Sequence, residues 1–151
     1  MYVRRVSVVI EQRTAVEAKP AEAFAFLHDP ERRQDWDAMV DGCRLETDAP
    51  AAGARLHLHG RRKAPSWVGE YAEFDPPRRS VLRLVEGVGM PFSAFSQTVT
   101  VTRHDAGTSV VALRVEYAAR GPVVLVERFT LRPRLAGALR RSIANIARQL
   151  G

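Results

Sequence analysis

Polar side chains that could bind a metal alternate along one short segment of the chain. Arg55, His57 and His59 are separated by leucines, so in a strand all three side chains lie on one face. Two histidines so placed could begin a metal site, but no Asp, Glu or Cys follows at a spacing that would complete it. We therefore expect an ordinary exposed strand face, no metal and no cofactor.

Candidates for proton transfer are few in this sequence. Glu70, beside Tyr71, and Glu86 could act as acid or base next to a ligand, although glutamates on alternating strands usually face solvent. His28 is expected at a helix end, where the negative end of the helix dipole satisfies it. Cys43 has no base partner nearby in the sequence and is expected to be a small buried side chain. The sequence therefore assigns no catalytic residue.

The elements that must position these residues begin with a strand and two helices. β-Branched residues over positions 6–18 predict one long or interrupted strand, and Pro20 suits the first turn of a helix. Asp29-Pro30 ends that helix and can cap a second one over 31–39. Trp36 is predicted to face inward from this second helix. The predicted outward positions are Arg33, Gln34, Asp37 and Asp41.

From Cys43 onward the hydrophobic period changes from helical to two. Short connectors rich in turn residues separate the β-rich segments, which indicates an antiparallel meander. The predicted strands are 43–48, 54–62, 67–75, 80–86, 94–104 and 108–119.

A long helix is predicted at the end of the chain. Gly121-Pro122 ends the last strand, and apolar residues then recur at helical spacing from Leu125 through Phe129 to Leu150. Pro133 is expected to bend this helix or to divide it in two. A twisted sheet and an amphipathic helix each have one apolar face to bury, so we expect the sheet to wrap around the helix in an α+β fold.

Length and composition are typical of one globular domain. At 151 residues the chain is expected to fold as a single ligand-binding domain over 1–151. Apolar residues make up 46% and charged residues 26%, and no apolar run suits a membrane span or a signal peptide. We therefore expect a cytoplasmic protein without stable membrane insertion. The single cysteine excludes an internal disulfide.

The net charge of +6 raises the question of a nucleic-acid partner. All but two of the 23 basic residues are arginines, as the codon composition of a GC-rich genome would give. They are scattered, and the largest group shares the terminal helix with an apolar stripe. We expect a solvated helix face there and no nucleic-acid binding.

Several stretches of the chain together resemble one superfamily. They are PAEAFAFLHDPERRQDWD after the first strand, GARLHLH, EYAEFDPPRRSVLRL, GTSVVALRVEY and the terminal helix patterned with Leu and Arg. The chain is similar to the START-like, helix-grip superfamily (SRPBCC), in its polyketide cyclase/dehydrase and lipid-transport-like branch. The resemblance implies about seven antiparallel strands wrapped around a long C-terminal helix, with two short helices after the first strand. Its motifs report architecture, and none is a catalytic signature.

A grip of this kind often leaves a mainly apolar cavity between sheet and helix. Gln97 is its most interesting polar candidate, because a buried amide requires a partner and a ligand could be that partner. The mouth is expected between the short helices and 87–91, where glycines allow movement. The alternative is that the aromatic side chains simply fill the core. The predicted lining residues are Trp67, Tyr71, Leu84, Met90, Phe92, Phe95, Gln97, Leu113, Tyr117 and Phe129.

These observations predict a protein that binds a hydrophobic small molecule, such as a lipid, a quinone or a polyketide-like aromatic. One alternative is a polyketide aromatase, cyclase or dehydratase. A second is an interaction module with a filled core, whose basic terminal helix meets an acidic partner. The sequence leaves open which ligand is bound, whether it is turned over, and whether the protein forms a homodimer.

Overall fold

The computed structural model describes residues 7–62 and 64–151, so the predicted strand position 6 lies outside the described residues. One antiparallel sheet of seven strands has the order β1-β7-β6-β5-β4-β3-β2. The strands are β1 (Val8–Val16), β2 (Val40–Leu45), β3 (Arg55–Gly60), β4 (Trp67–Asp75), β5 (Arg79–Glu86), β6 (Phe92–Asp105) and β7 (Thr108–Ala119).

The helices lie between β1 and β2 and at the end of the chain. Two short ones connect the first strands: α1 (Pro20–Leu27) and, after a 3₁₀ turn at Pro30–Arg32, α2 (Arg33–Trp36). A 3₁₀ segment at Gly121–Leu125 follows β7 and precedes α3 (Leu131–Leu150). The predicted helix-grip architecture is therefore confirmed. The second helix is shorter than the predicted 31–39, because the Asp37 backbone leaves the helical region and β2 already begins at Val40.

Alternation along the strands sorts side chains between the two faces of the sheet. In β7, Val111, Leu113 and Tyr117 are buried on the inner face, toward the helices. Leu113 lies opposite Val99 of β6 and Gln12 of β1, so the register aligns the inner positions of the three strands. Burial of each large apolar side chain contributes about 1.5–3 kcal/mol, which makes this face the main source of stability.

The last helix packs against β1 and α2 through one apolar stripe. The stripe contains the buried residues Leu135, Leu139 and Ile146. Pro133 does not bend the helix, because it lies in the first turn, where backbone N–H groups have no helical partner to lose. No helix in the described part of the chain is long and apolar enough to cross a membrane.

The prediction that this helix begins by Leu125 is wrong. Gly121 has a positive φ of 57° and precedes Pro122, and the chain there closes tight 3₁₀ turns instead of α-helical ones. Leu125 and Phe129 keep helical spacing in the sequence but lie before the helix, 82% and 71% exposed. Periodicity alone could not separate them from the stripe that packs on the sheet.

Candidate functional site

Most of the predicted lining residues lie together on the inner side of the sheet. Met90, Phe92, Phe95, Leu113 and Tyr117 belong to one buried core, with the partly buried Trp67 and Leu84 packed against it. Tyr71 lies in an adjoining cluster with Leu56, Leu58 and Leu82. Phe129 is the exception, since it is exposed before α3.

An aromatic row connects these residues. The ring of Trp67 meets that of Phe95 edge-on at 5.3 Å between centroids. Phe95 contacts Phe92 at 4.8 Å, and Phe92 contacts Tyr117 at 5.4 Å. These separations are those of favourable aromatic pairs, so the row fills the interior and does not frame an open space.

A groove of about 510 Å³ lies beside Trp67, the residue at one end of the aromatic row. Trp67 lines it, together with His57 and His59 of the outer face and with Gly87 and Val88 of the turn after β5. The predicted mouth lay between this turn and the short helices, but no described residue of α1 or α2 lines the groove.

A second open groove, of about 780 Å³, is bounded by 75–79 and 100–103. None of the described residues of α3 lines either groove. A third recess, beside His28 and Tyr71, has no room for a water molecule.

The interior also contains a buried ion pair that sequence reasoning placed outside. The Arg33 Nε donates to Asp37 Oδ2 at 3.0 Å, and Arg33 Nη2 donates to Oε1 of Gln97. Arg33 is only 3% exposed and Asp37 is also buried, so the prediction that both turn outward is wrong. The reason is that each charge is matched by the other, which permits burial that an isolated charge would not survive. The i, i+4 spacing of Arg and Asp was the signal available in the sequence.

Trp36 lies against this ion pair. It is fully buried, as predicted, and the Arg33 guanidinium carbon sits 4.9 Å from its ring centroid. Its carbonyl accepts from Asn145 Nδ2 at 3.2 Å, and the backbone N–H of Ala38 donates to Ser142 Oγ at 2.9 Å. These bonds fix α2 against α3, so Trp36 is held between the last helix and the sheet.

His28 is a second buried polar residue, at the end of α1. Its Nδ1 lies 2.8 Å from the carbonyl of Phe24, which can only accept, so Nδ1 carries the proton. Nε2 then accepts from the hydroxyl of Ser80 at 2.6 Å. Burial lowers the pKa of His28 to about 4, with the Phe24 hydrogen bond opposing the shift and the charge of Arg33 adding to it. His28 is therefore neutral at pH 7.

The proton-transfer candidates named from the sequence lie outside the interior. Glu70 faces outward, 3.2 Å from Arg83 and 3.9 Å from Arg55, and Glu86 is exposed at the groove. Burial raises the pKa of the Cys43 thiol, which does not favour a nucleophile.

The two strand histidines form separate surface pairs. His57 lies 2.9 Å from Glu46, and His59 lies 2.5 Å from Asp41. Both pairs are on the outer face of the sheet, as the sequence predicted for this segment.

A carboxylate that sequence reasoning missed lies at the inner end of the aromatic row. The Tyr117 hydroxyl donates to Glu127 Oε2 at 2.8 Å, and Arg132 also donates to this carboxylate. Burial and the adjacent carboxylate raise the pKa of Tyr117 to about 12, whereas the hydrogen bonds from Arg132 lower the pKa of Glu127. The carboxylate is thus ionised and accepts from both neighbours.

A sequence model of one family matches residues 7–151, which is nearly the whole chain. Its description is polyketide cyclase/dehydrase and lipid transport. The chain belongs to this family. Comparison with curated protein sequences gives no significant match.

Several solved structures have the same fold as this chain. The Zhui aromatase/cyclase from Streptomyces sp. R1128 is 15% identical, with a TM-score of 0.72 over 95% of this chain and 96% of that one. A START superfamily protein from Mycobacterium smegmatis is 14% identical, with a TM-score of 0.72 over 93% and 97%. Truncated norcoclaurine synthase from Thalictrum flavum is 16% identical, with a TM-score of 0.70 over 97% and 96%. At these identities the likeness shows the fold alone.

Proposed function

We propose that this protein binds a hydrophobic small molecule against the inner face of the sheet, beneath α3. The observation that carries the proposal is the position of Trp67, which is among the residues lining the open groove and whose ring also contacts Phe95 in the interior. Trp67 therefore separates the groove from the buried aromatic row. A lipid, a quinone or a polyketide-like aromatic would enter at the groove and displace part of the row.

The residues around the turn after β5 suit such an entrance. Met90 has a flexible side chain, and a Cβ atom added at Gly87 would lie 2.6 Å from its Cγ and 3.2 Å from Trp67 Cβ. The lack of a side chain at Gly87 thus lets the turn approach Trp67 closely. Movement of Met90 and Trp67 would open the interior, and each buried Å² of apolar ligand surface would contribute about 25 cal/mol to binding.

The aromatase, cyclase or dehydratase alternative needs a proton-transfer group beside the ligand. Glu70 and Glu86 do not supply one, because the first is paired with arginines on the outer face and the second is exposed. The carboxylate that adjoins the aromatic row is that of Glu127, which Tyr117 and Arg132 already engage through hydrogen bonds. Binding is therefore the function that we propose, and turnover would have to use Glu127. The filled aromatic row is also what an interaction module would have, so that alternative is the one that the binding test must exclude.

The test is a titration with N-phenyl-1-naphthylamine, an uncharged probe whose fluorescence rises in apolar surroundings. We expect saturable binding to the wild type and about tenfold weaker binding to Trp67→Ala, equivalent to ~1.4 kcal/mol. Phe129→Ala is the matched control, since it removes an aromatic ring that is exposed and forms no aromatic pair with the row. Thermal unfolding checks that both variants fold.

A folded wild type that gives no saturable signal would overturn the proposal and favour the interaction module. Equal weakening by Trp67→Ala and Phe129→Ala would also contradict it, because the probe would then bind to exposed apolar surface.

A further inference from the structure

The buried indole of Trp36 has an unused hydrogen-bond donor. In the part of the chain that the structure describes, its Nε1–H is the one buried side-chain nitrogen or oxygen without a hydrogen-bond partner. Trp36 is fully buried, so solvent does not replace the missing acceptor. Buried donors are almost always paired, and an exception in a ligand-binding fold calls for an acceptor.

The indole of Trp36 is connected to the proposed binding region through Arg33 and Gln97. Trp36 belongs to the same buried core as Met90, Phe92, Phe95 and Tyr117. Its backbone is tied to α3 through Asn145, and Arg33 joins it to Gln97 on the inner face of β6. Gln97 is two residues from Phe95 on the same face of β6, so a molecule that displaces the aromatic row and extends to Gln97 would reach Arg33 and the indole on which it packs.

The charges around Trp36 select the kind of acceptor. The guanidinium of Arg33 packs on the indole, and its charge is already balanced by Asp37, at 3.0 Å. Gln97 is uncharged, and the lowered pKa of His28 leaves that ring neutral at pH 7. A carboxylate or phosphate brought here would be a buried charge without a counterion, whereas a ketone or quinone oxygen accepts a hydrogen bond without adding charge.

We infer that Trp36 Nε1–H binds a neutral carbonyl oxygen of the ligand and so fixes its orientation. This inference rests on the proposed function and narrows it: the favoured ligands are ketones or quinones with an apolar, aromatic body. Fatty acids and phospholipids, which carry an anionic group, are disfavoured. Arg33 acts as a positioning residue, since its guanidinium packs on the indole and is held by Asp37 and Gln97.

The experiment uses a matched set of naphthalenes: 2-acetylnaphthalene, 2-ethylnaphthalene and 2-naphthoate. The first two have nearly the same shape and differ by one carbonyl oxygen, and the third carries a charge. The chain has two tryptophans, so a ¹H–¹⁵N spectrum of the labelled protein contains two indole signals. Trp67→Phe assigns the Trp36 signal by elimination.

We expect the ketone to move the Trp36 indole proton downfield and to bind about tenfold more tightly than 2-ethylnaphthalene, as one added hydrogen bond would give. The hydrocarbon should leave that proton without a new acceptor, and 2-naphthoate should bind more weakly than the ketone. In Trp36→Phe, the ketone and the hydrocarbon should bind equally. The titrations of the wild type test the hydrogen bond from Trp36 to the ligand carbonyl even if Trp36→Phe fails to fold.

The possible failures are distinguishable. If ketone and hydrocarbon bind equally and the Trp36 signal moves with neither, the carbonyl anchor is wrong while ligand binding stands. Tighter binding of 2-naphthoate, with the Trp36 signal shifted, would overturn the charge argument. If none of the three binds and N-phenyl-1-naphthylamine does not bind either, the proposed ligand binding is wrong. The hydrogen bond from Trp36 to a ligand carbonyl is then wrong as well.

Discussion

Residues of the same type in this protein differ sharply in burial. Arg33 and Asp37 form a buried ion pair, whereas the adjacent Arg32 and Asp35 form a pair at 2.7 Å that is largely exposed. His28 is buried and neutral, whereas His104 is exposed. These contrasts supply matched controls for predictions on single residues.

The first prediction concerns pH. Because the pKa of His28 falls from 6.5 to about 4 on folding, the unfolded chain binds this proton first as the pH drops. Protonation of His28 therefore leaves the free energy of unfolding unchanged well above pH 6.5. As the pH falls from 6.5 toward 4, it lowers the free energy of unfolding by an increasing amount. Between about pH 7 and about pH 4.5 we expect a loss of about 2–3 kcal/mol in the free energy of unfolding from this residue.

Urea denaturation across that range measures the effect. His28→Gln should lose this part of the pH dependence while being less stable at neutral pH, and His104→Gln should keep the wild-type slope. An unchanged slope in His28→Gln would show that other groups cause the loss at acid pH.

The second prediction concerns the buried ion pair. Arg33→Met leaves the Asp37 carboxylate buried without its counterion and should cost about 3–5 kcal/mol. Arg32→Met breaks an exposed pair and should cost less than about 1 kcal/mol. The double variant Arg33→Met/Asp37→Asn should recover part of the loss, since it removes the uncompensated charge. Chemical denaturation of the three variants gives the comparison, and equal costs for Arg32→Met and Arg33→Met would contradict the burial argument.

Among the strands, β4 carries Trp67, which lines the groove, and a glycine over which Trp67 and Leu82 pack. Gly69 lies on its inner face, where a Cβ atom would sit 2.8 Å from Leu82 Cδ1 and 3.0 Å from Trp67 Cζ3. The strand therefore has no side chain at the point where Trp67 and Leu82 pack over it. The structural reason for a glycine in the middle of a strand is close approach.

The third prediction follows from this packing. Gly69→Ala should destabilise the protein by about 1–3 kcal/mol, because Leu82 and Trp67 must shift in a filled interior. Gly42→Ala, on β2, is the control: a Cβ there has no heavy atom within 4 Å, so little change is expected. Thermal unfolding and Trp67 fluorescence test both, and a neutral Gly69→Ala would mean that Leu82 has room to move.

At the scale of the whole molecule, a filled interior and membership of the polyketide cyclase/dehydrase and lipid-transport family must be reconciled. A ligand could enter the filled interior if it exchanged places with side chains of the aromatic row. The flexible Met90 and the glycine-containing turn would permit that exchange. In that case a captured ligand would leave slowly, since its exit requires the same rearrangement.

The fourth prediction is that freshly purified protein retains such a ligand. Native mass spectrometry should give a mass above the 16.8 kDa of the chain, and solvent extraction should release a compound with an apolar body and a neutral carbonyl. The same spectrum reads the oligomeric state. A protein at its chain mass that also fails to bind N-phenyl-1-naphthylamine would count against ligand binding altogether.

Local patterns along the chain are sufficient to specify the architecture of this protein. Period-two alternation, turn residues between strands and the stripe from Leu135 to Ile146 each act locally, and together they allow one economical packing of sheet and helix. The alternation of inner and outer positions also followed, so most of the predicted lining residues do lie together on the inner face.

Which polar groups are buried depends on contacts between residues that are far apart in the chain. Arg33, which pairs with Asp37 and packs on Trp36, meets Gln97 from 64 residues away, and Tyr117 meets Glu127 across the 3₁₀ segment. Their burial depends on charges and hydrogen bonds that pair across the fold, and no local pattern encodes those distances. Likewise Phe129 has the spacing of a core residue, but the turn at Gly121 places it before α3 and leaves it exposed.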